Sequence, residues 1–164
     1  MRKTAVRGLR WAKFTEEAPT FSPQTFTSAQ KRGLSYEKKI AQKLAALYPA
    51  GRVLHGQWII YEDSTGRHYA QPDILIIPEN ECLPIVVVEV KLSHRPHAER
   101  KLLRLYVPLL RTALGVSKKR KVVAVQVFRS VRNRLTLTSR LTDLDGLDSP
   151  DLASASYWAC HSLG

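Results

Sequence analysis

The chain of 164 residues carries 26 Lys plus Arg against 14 Asp plus Glu, a net charge of +12 and a pI near 10.1. That length suits one domain with a single core, and the apolar and charged fractions are those of a globular chain rather than a disordered one. The charge excess points to a polyanionic partner, nucleic acid ahead of an anionic lipid surface. Cys82 and Cys160 are the only cysteines, in no metal-like spacing, so a disulfide framework and a cysteine-based zinc site are both disfavoured. No apolar run approaches the roughly 20 residues of a membrane span, and an intracellular setting, cytoplasm or nucleoid, is the expectation.

In chain order, residues 1–30 mix basic residues with Pro19, Pro23 and a Ser/Thr-rich stretch and show no sustained period; they read as a flexible basic arm. The opening MRKTAVRGLRWAKF, with five basic residues and no acid, suits phosphate contact and is also compatible with a mitochondrial targeting peptide. From about Leu34 to Tyr48, Ile40, Ala41, Leu44 and Leu47 recur at helical spacing, with Pro49 and Gly51 as stop signals. VLHGQWIIYED and RHYAQPDILII flank Ser-Thr-Gly and read as a strand hairpin. PEN makes a turn, and the β-branched run IVVVEVKL reads as a central strand. A helix from about His97 to Leu114 carries a leucine stripe and ends at Gly115, and Pro108 within it should kink or split it. KKRKVVAVQVF reads as a fourth strand and RLTLT as a fifth, followed by an irregular tail over residues 143–164. The order helix, strand, strand, strand, helix, strand gives an α/β domain over residues 31–142, a mixed sheet flanked by helices.

Three charges interrupt the two most apolar strands. Glu89 and Lys91 project to one face of their strand, with Ile85 and Val87, while Asp73 opens its own strand after Pro72. If the two strands pair, two carboxylates and an ammonium converge at one strand end, a donor set suited to a hard divalent ion. A surface ion pair with a turn-capping Asp is the plain alternative for each residue taken singly.

Pro72-Asp73, fifteen intervening residues, then Glu89-Val90-Lys91 resembles the PD-(D/E)xK signature of the restriction-endonuclease-like nuclease superfamily. The resemblance implies a restriction-endonuclease-like mixed sheet with an α-β-β-β-α-β core. It further implies Asp73, Glu89 and the Val90 carbonyl as Mg²⁺ ligands, with Mn²⁺ as substitute, and Lys91 positioning the nucleophile. Glu37, on the apolar stripe of the first helix, takes the part of the family's helical Glu, as an auxiliary or second-metal carboxylate. Arg32-Gly33 with Glu37, then the two strand motifs, looks most like the archaeal-type Holliday-junction resolvases, which implies DNA cleavage in recombination or repair by a homodimer. In exonuclease-like members a Gln and a Tyr stand one turn apart on the later helix; here Tyr106 is present but Leu102 holds the Gln position, which argues against that branch. A nuclease-like fold that only binds DNA or assembles with a partner is the reading from another class.

Between Leu92 and Lys121 nine basic residues face the single acid Glu99: Arg95, Arg100, Lys101, Arg104, Arg111, Lys118, Lys119, Arg120 and Lys121. Solvated helix faces normally mix signs, so this set is expected to contact DNA phosphates.

Overall fold

The computed structural model describes residues 3–20, 25–48, 52–93, 95–117, 119–128 and 155–161. It is a mixed α/β structure of two sheets and a few helices. The elements are β1 (Trp11–Thr15), α1 (Ser28–Leu47), β2 (Val53–His55), β3 (Trp58–Asp63), β4 (Gly66–Ala70), β5 (Ile74–Ile76) and β6 (Ile85–Lys91). They continue with α2 (Pro96–Lys101), a π-helical turn (Leu102–Tyr106), α3 (Val107–Ala113), β7 (Val122–Phe128) and β8 (Ala155–His161). The larger sheet runs β2-β5-β6-β7-β8, antiparallel from β2 to β6 and parallel from β6 to β8, and the smaller is antiparallel β1-β3-β4.

Alternation along the strands divides the core in two. Val86, Val88 and Val90 of β6, with Ile74 and Ile76 of β5 and Val123, Val125 and Val127 of β7, face Ile40, Ala41 and Leu44 of α1. Ile85, Val87, Leu75, Val122 and Ala124 face the other way, against Leu102, Leu105, Leu109 and Leu110, and share that cluster with Ile59, Tyr61 and Ala70 of the smaller sheet. Each fully buried Val or Ile contributes about 1.5–3 kcal/mol, so the apolar strands hold the layers together without help from the charges.

Several expectations need correction. The basic arm is not without regular structure: residues 11–15 form the edge strand β1, paired with β3 from Trp11 opposite Glu62 to Thr15 opposite Trp58. Helix α1 starts at Ser28, six residues before the expected Leu34, because Thr27 and Gln30 form a capping box. Thr27 Oγ1 accepts from Gln30 N–H at 3.2 Å and Gln30 Oε1 accepts from Thr27 N–H at 2.8 Å. Those first turns are solvent-facing and so carry no apolar period.

The expected hairpin is broken on both sides. Gly56 takes φ +65°, a conformation open to glycine, and ends β2 before β3 begins. Pro72 and Asp73 interrupt the return strand between β4 and β5, so β3-β4 close the smaller sheet while β2-β5 join the larger.

Pro108 does split the second helix, and the split is a π-helical turn. Lacking an N–H, Pro108 leaves the Arg104 carbonyl without its helical donor, and the Val6 N–H fills that place at 3.0 Å. Gly115 at φ +58° then ends α3, with the Val116 N–H bonded to the Arg111 carbonyl at 3.1 Å.

Residues 155–161, within the stretch expected to be irregular, form β8 beside β7. The expected strand RLTLT and Lys118 lie outside the described residues. Among the described residues no helix is long and apolar enough to cross a membrane.

Candidate active site

The site forms where β5 begins and β6 ends. Ile74 pairs with Val88, so Asp73, one step earlier, lies at the level of Glu89, and both sit on the α2 face of the larger sheet. Asp73 is fixed through its backbone and its side chain. Its carbonyl accepts from the Gly56 N–H at 2.9 Å, and its Oδ2 accepts from the Val90 N–H at 2.7 Å.

Lys91 bridges the two acids, with Nζ 3.4 Å from Asp73 Oδ2 and 2.8 Å from Glu89 Oε1. It also donates to the Val90 carbonyl at 3.0 Å. Asp73, Glu89, Lys91 and the Val90 carbonyl therefore converge.

A second lysine was not foreseen as part of this cluster. Lys101 Nζ lies 3.0 Å from the same Glu89 Oε1 and 4.7 Å from the Tyr106 ring centre. The Tyr106 hydroxyl in turn donates to the Gln71 carbonyl at 2.6 Å, two residues before Asp73. Residues five apart diverge by about 140° on an α-helix of 3.6 residues per turn. The wider π turn between them brings Lys101 and Tyr106 together, and such turns are frequent at functional sites. Sequence periodicity assumes a regular helix and so leaves Lys101 among the basic residues expected at DNA phosphates; in the sequence only Pro108 hints at the irregularity.

The electrostatics are frustrated. Glu89 has a side chain only 3% exposed, and its Oε2 has no hydrogen-bond partner. Burial above all, then the Glu89 charge, raise the Asp73 carboxyl well above the usual carboxylate range; Lys91 opposes them, Glu37 adds to the rise, and the Val90 N–H opposes it. Burial would depress the Lys91 ammonium, but Asp73 and Glu89 outweigh it and raise its pKa, so Lys91 is a cation here.

Glu37 stands apart from this pair. It rises from α1, on the opposite face of the sheet, and its Oε1 lies 2.8 Å from His55 Nε2 at the end of β2. Among the described residues no three His, Cys, Asp or Glu side chains form a ready metal-ligating group, and Glu37 is engaged by His55. Its observed influence is through charge.

The donors do fit one hard cation: two carboxylates, one oxygen of which is buried and unpartnered, and a backbone carbonyl at hand. Mg²⁺ characteristically takes one or two carboxylates and completes its shell with water and phosphate oxygens.

The basic residues divide between the two ends of the sheet. Arg95, Arg100 and Arg104 are exposed near the β6 C-terminal end; the Arg95 backbone is clamped by buried Gln126, the β7 partner of Glu89, at 3.0 and 2.6 Å. Lys119, Arg120 and Lys121 precede β7, which runs parallel to β6, so they lie at the other end, about 20 Å away over six strand steps. There Arg120 donates to the Leu83 and Pro78 carbonyls at 3.1 and 2.9 Å, and Arg111 to the Arg120 carbonyl at 3.1 Å. Arg111 and Arg120, both expected to contact phosphates, have their guanidinium groups engaged by loop carbonyls.

Compared with known proteins, the chain matches no family model and no curated protein.

Proposed function

We propose that this protein is a divalent-cation-dependent DNA nuclease of the PD-(D/E)xK type, with a restriction-endonuclease-like core, acting on phosphodiester bonds at Asp73 and Glu89. One observation carries the reading: a buried carboxylate oxygen, Glu89 Oε2, without a partner, beside an Asp73 carboxyl that its surroundings resist ionising. A buried carboxylate oxygen left without a partner, beside lysines that all crowd the other oxygen, is costly for an apoprotein, and a cation bound there removes the cost.

Asp73, Glu89 and the Val90 carbonyl would hold Mg²⁺, with Mn²⁺ as its substitute, and the ion when bound supplies Lewis acidity and charge neutralisation at the phosphate. Lys91 is already protonated, so it serves as a donor that orients the attacking water and offsets charge growing on the phosphoryl oxygens, rather than as the resting base. Lys101 holds Glu89 Oε1 and adds positive charge on the same side. Glu37, paired with His55 Nε2 at 2.8 Å, is the auxiliary or second-metal carboxylate. Arg95, Arg100 and Arg104 lie where a backbone entering the site would pass. Structure-selective cleavage by a symmetric dimer, as in junction resolution, is the subclass that the Arg32-Gly33, Glu37 pattern favours.

The test is cleavage of linear, flapped and four-way DNA with Mg²⁺ or Mn²⁺. Wild type should cut at least one of them, and Asp73→Ala should cut none while binding DNA as before. A wild type that binds DNA and never cuts would leave the non-catalytic binding role instead.

A further inference from the structure

The smaller sheet packs one face on α3 and turns the other away from that core, where Trp11 and Trp58 are half-buried and Lys13, Arg67 and Tyr69 are exposed. Alternation puts Ile59 and Tyr61 of β3 inside and Trp58 and Glu62 outside, and the register sets Trp11 and Lys13 of β1 and Arg67 and Tyr69 of β4 on the same outer side. Tyr69 is 41% exposed. Trp58 meets it edge-on, with ring centres 6.4 Å apart at 84°, and the Arg67 guanidinium lies 5.6 Å over the Trp11 ring. The one acid on this face, Glu62, is paired with Arg10 at 2.9 Å.

Three aromatic side chains set on one side of a three-stranded sheet and interleaved with Lys13 and Arg67 make a mixed aromatic and cationic surface. We infer that this face binds single-stranded DNA, its rings stacking two or three unpaired bases while the cations meet the phosphates.

Charge and position select this occupant. The face is cationic once Arg10 has neutralised Glu62, which suits a polyanion rather than a second copy of a basic chain. Tyr69 precedes Asp73 by only four residues, so at most about 14 Å of backbone separates the aromatic pair from the candidate site. Binding does not require that the protein cleave DNA, so the two readings fail separately.

The experiment measures tryptophan fluorescence and affinity for a single-stranded oligonucleotide, a duplex of the same length and an abasic single strand, all in EDTA. Wild type should prefer the base-bearing single strand to the abasic one. Trp58→Ala and Tyr69→Ala should each weaken single-strand binding about tenfold and leave duplex binding unchanged, whereas Tyr69→Phe, which keeps the ring, should bind as wild type. Equal losses on single strand and duplex, no preference over the abasic strand, or tighter binding of an RNA of the same sequence would each overturn the inference. A concentration-dependent dimer that Trp58→Ala dissociates, without loss of single-strand affinity, would assign the face to self-association instead. Should Trp58→Ala fail to fold, Tyr69→Ala against Tyr69→Phe decides alone.

Discussion

Two carboxylate sites lie under lysines in this protein, one a single acid and the other a pair, and their surroundings are opposite. Asp63, on the smaller sheet, is fully provided for: Thr65 donates through its N–H at 2.9 Å and its hydroxyl at 2.6 Å, Lys3 at 2.9 and 3.1 Å, and the Arg7 N–H at 3.3 Å. Burial pushes its carboxyl up, but those hydrogen bonds outweigh it and hold the group far below the usual carboxylate range. Asp73 and Glu89, on the larger sheet, share two lysines on one oxygen, leave another oxygen bare and drive the Asp73 carboxyl upward. A satisfied acid fastens a structure, here the N-terminal segment to the β3-β4 turn. An unsatisfied pair is kept for something that is not part of the chain.

The sharpest way to break this contrast is to remove each acid in turn. Asp73→Ala or Glu89→Ala should take cleavage to background, and Lys91→Ala should lower it about 10²–10³-fold, the scale of losing one well-placed donor. Asp63→Ala should leave cleavage per folded molecule intact and cost about 3 kcal/mol in denaturant unfolding, because it strands buried donors and the Lys3 charge. Asp73→Asn should instead raise the stability of the metal-free protein, since it deletes a charge the site disfavours.

Melting temperature against pH separates the same two acids. Asp63, held low, contributes stability that is present above its ordinary value of 3.8 and lost as pH falls through its folded value. Asp73, held high, has the opposite sign: metal-free stability falls as pH rises above 3.8 toward its raised folded value. Mg²⁺ should cancel the loss above 3.8 in wild type and leave Asp73→Asn unaffected.

Lys101→Met should reduce cleavage about 10–100-fold and weaken Mg²⁺ binding, the effect of losing a partner that orients a ligand. The smallest effects concern the basic surface. Arg100→Ala should lower the salt dependence of DNA affinity by about one unit of slope, whereas Arg120→Ala should change stability and leave that slope alone.

Which of these features the sequence disclosed follows from where each signal resides. The apolar strands, their alternation and the place of Asp73, Glu89 and Lys91 are local patterns, and they appear as read: β6 is central in its sheet, and its valines divide between the two helical layers. β1 was hidden because its residues are half-buried on a three-stranded edge and lack a clean alternation. The early start of α1 depended on the Thr27–Gln30 cap rather than on apolar spacing. Lys101 escaped because a π turn resets which residues share a helix face, and Arg111 and Arg120 because the number of basic residues says nothing of carbonyls waiting to be bonded.

The most direct measurement compares Mg²⁺-dependent DNA cleavage, per folded molecule, by wild type, Asp63→Asn and Asp73→Asn on the same branched and linear substrates. Wild type and Asp63→Asn should cut alike, and Asp73→Asn should be inert though folded and still bound to DNA. Cleavage that survives Asp73→Asn, or a wild type inert on every substrate, would contradict it.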